Sequence, residues 1–345
     1  MILVNFLRYS YAVLAGLGLV CELVPWTREA LIRYGRTMTK PDDDATKDKD
    51  KQAAAARANA SPSRLSAAMI HYAAWKVPKS LFTHFYIVGA IVSGLLTIDT
   101  IAWFNSQSEF QHTGAAPHHF IPRILAFEQW LAGSIQSDVH DVRPDRLAVL
   151  ALALFTLHVL LRLKESAYDQ PATSAKMHAS QYSVGVVFYI LAPLGVVVDS
   201  YQAPGWKPQS PWLVVAGVAV YVYAFIHQRR CHGILFQLRN RCLSKQSDEL
   251  ADRNAGSGSS ARTDTYAIPT GDLFEYVSCP HYLCEILIYI SLWMVTACQA
   301  TTLLGVLGWT IANLGITAHE SQKWYRAKFG ARYPRGRRAL VPFVW

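Results

Sequence analysis

Three side chains that can exchange protons or bind anions interrupt an apolar run near the middle of the chain. His158 and Arg162 lie one helical turn apart within residues 146–164, and Glu165 follows on the same side. Ionisable groups are costly inside a membrane helix, so they usually serve a function there. An imidazole, a guanidinium and a carboxylate in one stripe could donate a proton or stabilise an oxyanion. A structural ion pair at the helix end, with a snorkelling arginine, explains the same pattern.

A second group of residues has the chemistry of a nucleotide site. Two arginine pairs, Arg229-Arg230 and Arg239 with Arg241, follow an apolar run, and arginine binds phosphate through two parallel hydrogen bonds. No Gly-x-Gly-x-x-Gly follows a strand and no P-loop is present, which excludes a Rossmann domain, so a dinucleotide would lie among helices. Four tyrosines could stack on it or donate hydroxyl hydrogen bonds: Tyr266, Tyr276, Tyr282 and Tyr325.

Long apolar runs must position these residues. Hydrophobic residues make up 52% of the chain and charged residues only 17%, whereas about a quarter of a soluble domain is charged. We therefore predict an all-α membrane protein, with seven transmembrane helices in a single domain over residues 1–345. The predicted spans are residues 2–24, 82–104, 146–164, 182–200, 211–228, 284–299 and 302–319.

The basic residues predict the orientation of these spans. If the N-terminus is lumenal, 28 of the 33 lysines and arginines fall in cytosolic segments, as the positive-inside rule requires. We therefore expect a lumenal N-terminus and a cytosolic C-terminus. The net charge of +9 then reflects topology, and no nucleic-acid partner is expected. The other five basic residues are Arg8, Arg123, Arg143, Arg146 and Lys207.

Two polar segments lie in loops on the predicted cytosolic side. Residues 39–64, rich in charge and alanine, predict a disordered insertion, and residues 244–263 predict a flexible linker in the fifth loop. Neither is expected to take part in chemistry. Cys279 and Cys284 lack a second pair of ligands, so no metal site is predicted.

Five short blocks of sequence, in a fixed order, carry a family resemblance. They are LIRYGRT at 31–37, VPKSLFTHFY at 77–86, CHGIL with a following Leu-Arg at 231–239, IPTGDLFEYVSCPHYLCE at 268–285, and WYRAKF with YPRGRRALVPF within 324–343. Together they resemble the steroid 5-alpha-reductase family, and most closely its polyprenol reductase branch. The blocks span nearly the whole chain outside the two polar segments.

The resemblance implies seven helices that enclose NADPH in the endoplasmic reticulum membrane. The implied reaction reduces the alpha-isoprene double bond of polyprenal or polyprenol, a polyprenyl lipid, in the dolichol synthesis that supports protein N-glycosylation. Residues 266–345 would form a C-terminal NADPH-binding and paired-helix region. The cofactor positions implied by the resemblance are Arg239, Tyr266, Tyr282, Glu285 and Tyr325, together with His232 and His281, which stand where steroid-acting members have an aspartate and an asparagine. Ala267 replaces an arginine of the family pattern, so one phosphate contact is either missing or supplied by Arg262 or Arg337.

The implied chemistry needs a hydrogen-bond donor. A hydride added to the β carbon leaves negative charge on the carbonyl oxygen, and a proton must then reach the α carbon. The glutamate and tyrosine that hold the carbonyl in steroid-acting relatives correspond to Lys76 and Val159 here. The catalytic candidates that remain are His158, His84, Tyr86 and Lys79. We favour His158, as a neutral imidazole with Arg162 as its charged neighbour.

Two other classes of function fit part of the sequence. A membrane methyltransferase of the isoprenylcysteine or phospholipid type, using S-adenosylmethionine, would also have Pro280, Tyr282 and Glu285 ahead of a pair of spans. Such enzymes usually carry a glutamate pair near the last helix, where this chain has only Glu320. The third possibility is a non-enzymatic protein that binds membrane lipid.

Overall fold

A computed structural model describes residues 2–23, 75–105, 120, 145–171, 173, 175–201, 211–254 and 266–344. Within these ranges there are seven α-helices, one for each predicted span. They are α1 (Ile2–Leu23), α2 (Phe82–Asn105), α3 (Arg146–Lys164), α4 (Ala179–Val197), α5 (Pro211–Asn254), α6 (Pro280–Val295) and α7 (Thr301–Phe329). The insertion predicted over 39–64 lies outside the described residues.

Most of these helices suit a bilayer. Helical stretches at α2, α3, α4, α5 and α7 are long and apolar enough to cross a membrane, and α6 is a shorter apolar helix of 16 residues. The chain is therefore a helical, multi-pass membrane protein. Seven crossings and a lumenal N-terminus stay predictions.

Helix α5 departs from the sequence prediction at its far end. It has 44 residues and continues to Asn254, so residues 244–254, expected to begin a flexible linker, are helical. The segment contains neither glycine nor proline before Gly256, and its Leu, Lys, Gln, Glu and Ala residues are compatible with a helix. Residues 255–263 of the predicted linker lie outside the described residues.

Two short strands, which the all-α prediction did not include, join the starts of α2 and α4. Lys76–Pro78 pairs antiparallel with Lys176–His178. The Lys79 amide also donates to the Ala175 carbonyl at 2.9 Å. His178 then caps α4, because its Nδ1 accepts from the Ser180 amide while the Gln181 side chain accepts from the His178 amide. The pairing fixes α2 and α4 at the same end of the bundle.

Helix α6 lies at the centre of the bundle and packs against α3, α5 and α7. Helices α5 and α6 approach closely at Gly217, where a Cβ atom would lie 2.9 Å from the backbone nitrogen of Val295. On the outside, α2 packs on α3 and α4, while α1 packs on α7. Because α3, α5 and α6 surround one interior, polar residues on their inner faces can meet there.

Candidate active site

A trio of buried and partly buried polar residues joins three helices. His158 of α3 is fully buried, and its Nε2 atom lies 3.1 Å from Oε1 of Glu285 on α6. Gln228 of α5 donates from Nε2 to the other carboxylate oxygen of Glu285 at 2.5 Å. Both oxygens of this carboxylate are therefore bound by side chains from different helices.

A second cluster surrounds Arg162, one turn beyond His158 on α3. Its guanidinium forms an ion pair with Glu165. The Nη1 atom lies 2.6 Å from Nδ1 of His232 on α5, and Nη2 donates to the Tyr86 hydroxyl of α2 at 3.0 Å. Glu165 and His232 are 2% and 6% exposed, so these polar groups depend on each other rather than on water.

The Nδ1 atom of His232 lies near both a hydrogen-bond donor, Arg162, and an acceptor, Glu165. This atom lies close to Nη1 of Arg162 and also 2.9 Å from Oε2 of Glu165. Arginine can only donate, so an unprotonated Nδ1 accepts from Arg162, whereas a protonated Nδ1 donates to Glu165. The ring therefore has a partner in either protonation state.

A local widening of the helix brings Glu165 into this cluster. Residues Glu165–Asp169 form a single π-helical turn at the end of α3, and such turns are frequent at functional sites. The Ser166 and Thr83 hydroxyls lie 2.8 Å apart and attach this turn to α2.

Three buried polar atoms, two in the trio and one next to it, have no hydrogen-bond partner among the described residues. They are Nδ1 of His158, Oε1 of Gln228 and the hydroxyl of Tyr289, which follows Glu285 by one turn of α6. A buried polar group without a partner costs about 1–3 kcal/mol. A bound ligand with its own donors and acceptors would remove that cost, so the interior has the chemistry of a ligand site.

Two cavities lie along the polar continuation of α5. The larger, about 490 Å³, is lined by Arg241, Lys245 and Arg332 together with Tyr266. The smaller, about 270 Å³, is lined by Arg229, Asp169 and Glu165. Since Glu165 also contacts Arg162, the smaller cavity adjoins the buried cluster.

The C-terminal segment folds against the end of α7. Arg337 is 2% exposed, donates from Nη1 to the Pro269 carbonyl at 2.9 Å, and lies over the Tyr333 ring. Tyr333 stacks on Tyr325 with ring centroids 5.4 Å apart, and its hydroxyl lies 2.7 Å from that of Ser278. Burial raises the pKa of Tyr333 above its ordinary value. These contacts pack the C-terminal segment against the residues that precede α6.

Comparison with known proteins identifies the family. Residues 253–345 match the 3-oxo-5-alpha-steroid 4-dehydrogenase family. The chain is 31% identical to the polyprenal reductase of Homo sapiens over 91% of its own length and 85% of that protein. It is 31% identical to polyprenal reductase 2 of Arabidopsis thaliana, over 78% and 82% of the two chains.

The protein belongs to the polyprenal reductase branch of the steroid 5-alpha-reductase family. This confirms the resemblance carried by the five sequence blocks.

The four catalytic candidates of this family member divide into two pairs. His158 and Tyr86 belong to the buried network. His84 is exposed, with Nδ1 3.1 Å from the Tyr182 hydroxyl, and Lys79 lies with Nζ 5.3 Å from the ring centroid of Phe82 at the start of α2. The charged partner expected for His158 was Arg162, but the structure places the Glu285 carboxylate on its Nε2 instead.

The cofactor candidates divide in the same way. His232 and Glu285 lie in the buried network, and the His281 ring lies 5.5 Å from that of His232 and 4.2 Å from that of Tyr282. Tyr266 lines the larger cavity, whereas Arg239 is exposed on α5 and lines neither cavity. Tyr325 and Arg337 belong to the C-terminal contacts described above.

Sequence reasoning missed three residues of the candidate site. Gln228 could have been found, because it closes the apolar run 211–228 and precedes His232 by one helical turn. Arg241 belongs to the second arginine pair, which was expected to bind phosphate, whereas Lys245 and Arg332 were counted only as topology signals. Their contribution to one cavity depends on how α5 and the end of α7 meet.

Proposed function

We propose that the protein is an NADPH-dependent oxidoreductase that saturates the alpha-isoprene double bond of a polyprenyl aldehyde, as the family relationship indicates. The observation that carries the site assignment is the His158–Glu285–Gln228 trio. It brings together an imidazole and a carboxylate that is bound through both oxygens, and two of its own buried atoms, Nδ1 of His158 and Oε1 of Gln228, have no hydrogen-bond partner among the described residues. Intramembrane ionisable groups in such an arrangement indicate function.

The aldehyde is the better substrate on chemical grounds. Conjugation to a carbonyl makes the β carbon electrophilic, and the electrons displaced from the double bond come to rest on the carbonyl oxygen as an enolate. An allylic alcohol offers no such acceptor. A proton added at the α carbon then restores the carbonyl and completes the reduction.

The residues present fit NADPH. Arg241, Lys245 and Arg332 supply the charges for phosphate groups around a cavity of about 490 Å³, with Tyr266 as a stacking surface. The unpartnered Oε1 of Gln228 can accept a hydrogen bond from a carboxamide. His232, His281, Tyr282, Arg239, Tyr325 and Arg337 remain candidate cofactor-binding residues. NADPH, when bound, supplies the hydride.

His158 would donate to the enolate through Nδ1. Its Nε2 faces Glu285, so a neutral ring would place its single proton on Nε2 and leave Nδ1 as an acceptor. Donation from Nδ1 therefore requires a ring that carries a proton on each nitrogen, with Nε2 donating to Glu285. This proposal differs from the neutral imidazole expected from the sequence.

The same assignment places the protein in the endoplasmic reticulum membrane, where it would serve dolichol synthesis for N-glycosylation. All seven helices would cross the bilayer, with the nucleotide cavity on the cytosolic side. The concentration of arginine and lysine beyond the apolar part of α5 and after α7 supports this orientation.

Deuterium transfer tests the reaction. The full-length chain in lipid nanodiscs is given polyprenal and NADPH deuterated at the transferred position, and the product is examined by mass spectrometry and NMR. We expect one deuterium at the β carbon, and a second at the α carbon only in deuterated water. No NADPH binding, with transfer of a methyl group from S-adenosylmethionine, would indicate the methyltransferase alternative. Lipid binding without either reaction would indicate the non-enzymatic one.

A further inference from the structure

The direction of the hydrogen bond between Arg162 and Tyr86 is fixed by chemistry. A guanidinium has only donors, so Nη2 of Arg162 donates to the Tyr86 oxygen across 3.0 Å. The phenol keeps its own proton, and the Tyr86 hydroxyl makes no other hydrogen bond to the described residues. A phenol that accepts a bond from a cation is also a stronger donor, because hydrogen bonds in a chain polarise one another.

Arg162 is itself fixed from the opposite side. Glu165 pairs with Nη1, and Nδ1 of His232 either accepts from the same nitrogen or, when protonated, donates to Glu165. The guanidinium carbon lies 5.1 Å from the centroid of the Tyr86 ring. Three helices, α2, α3 and α5, therefore hold this guanidinium in one place, and the side-chain freedom of an arginine is largely lost.

The Tyr86 ring is held as firmly as its oxygen. It packs edge-to-face on the Tyr189 ring of α4, with centroids 5.3 Å apart. Tyr189 in turn packs against Gly89. A side chain at position 89 would collide with it, because a Cβ atom there would lie 2.6 Å from the Tyr189 ring. Because the Tyr86 ring is fixed and its oxygen already accepts a hydrogen bond, few orientations of its O–H group remain possible.

We infer that Arg162 is a positioning residue that presents the hydroxyl proton of Tyr86 to the substrate carbonyl. Arg162 follows His158 by one turn of α3, so the Tyr86 hydroxyl and the trio are neighbours in the same interior. Tyr86 donates a hydrogen bond to the oxygen where charge develops and keeps its proton, while His158 donates to the enolate from Nδ1. This inference rests on the proposed function and adds a second donor to that site.

Kinetics of four variants in full-length protein test the inference. We expect Tyr86→Phe to lower kcat about a hundredfold, the usual effect of removing one oxyanion donor, with little change in the Kd of NADPH. Arg162→Gln should lower kcat by a similar factor, and the double variant should be no slower than the slower single variant. Arg162→Lys keeps a cationic donor and should recover part of the rate. Tyr168→Phe, at an 84% exposed position, is the matched control.

A spectroscopic measurement separates positioning from folding. The infrared stretching frequency of the carbonyl in bound dolichal, the saturated aldehyde, should be lower in wild type than in either Tyr86→Phe or Arg162→Gln. If Arg162→Gln unfolds because Glu165 loses its partner, Arg162→Gln with Glu165→Gln removes both charges and takes its place. The thermal midpoint of each variant reports folding.

Two results would overturn the inference while leaving the proposed function intact. One is an active wild type in which Tyr86→Phe keeps its kcat. The other is a double variant whose loss is the product of the two single losses, which would mean that Arg162 and Tyr86 act separately. A wild type that neither reduces polyprenal nor binds the saturated aldehyde would instead refute the proposed function.

Discussion

Nε2 of His158 lies 3.1 Å from Oε1 of Glu285, although 127 positions separate the two residues in the chain. The contact joins α3 to α6 and leaves Nδ1 as the ring nitrogen that is available to a ligand in the proposed site. Because Gln228 binds the second oxygen of Glu285, the carboxylate cannot turn away from the histidine without losing a further bond. The orientation of the imidazole thus depends on two residues from other helices.

His158 can be tested by truncation and partial restoration. We expect His158→Ala to lower kcat about a hundredfold on polyprenal with unchanged NADPH binding, because one donor to the enolate is lost. His158→Gln, which keeps an amide donor, should recover part of the rate. If both variants keep the wild-type kcat, His158 is a structural histidine, and Tyr86 or His84 becomes the leading donor.

Glu285 should be coupled energetically to His158. We expect Glu285→Gln, which keeps the shape but removes the charge, to lower kcat at least tenfold. The double variant of Glu285→Gln with His158→Gln should lose less than the sum of the two single effects, by about 0.5–3 kcal/mol for residues in contact. Purely additive losses in kcat would show that the pair does not act as a unit.

The nucleotide cavity can be tested by comparing arginines. We expect Arg241→Ala to raise the NADPH Kd, with a cost of about 1.5–3 kcal/mol for a lost charged hydrogen bond. Arg239→Ala, the position indicated by family resemblance, should also raise the NADPH KM more than the lipid KM. Arg326→Ala is the control, because this exposed arginine of α7 lines neither cavity. Equal effects of all three would indicate only a general loss of positive charge.

The helices were predictable from the sequence because a bilayer sets their length and hydropathy. Each of the seven runs corresponds to one helix, since about 20 apolar residues span the hydrocarbon core. The end of α5 was not predicted, because a polar helix and a polar linker have similar compositions at residues 244–254. The strands at 76–78 and 176–178 are too short to show a period of two.

For the candidate site, the sequence predicted some of the residues but not the contacts between them. His158 stood out as an ionisable residue in an apolar run and Glu285 as a position of the family pattern, but nothing local indicates that they meet. The sequence placed Arg162 beside His158 through helical spacing, whereas the structure turns Arg162 toward Tyr86 and His232. Contacts between helices depend on their order and rotation in the bundle, which a single sequence does not contain.

Tyr333 should make the C-terminal contacts sensitive to alkali. Burial raises its pKa, so the folded state favours the neutral phenol. This stability is present below the ordinary tyrosine pKa of about 10 and is lost as the pH rises through the raised value. We expect the unfolding midpoint of wild type to fall faster than that of Tyr333→Phe above about pH 10. Tyr276→Phe, at an exposed position, should behave as wild type, and parallel curves for all three proteins would contradict the assignment.

The orientation in the membrane predicts the fate of a glycosylation sequence. Asn59-Ala60-Ser61 is a formal acceptor site within a segment that the positive-inside rule assigns to the cytosol. It should therefore remain unmodified in cells, because glycosylation occurs on the lumenal side. A sequon introduced into 202–210, which follows α4 on the predicted lumenal side, serves as the positive control. A glycosidase-sensitive mass shift in wild type that disappears in Asn59→Gln would invert the topology and place the nucleotide cavity away from cytosolic NADPH.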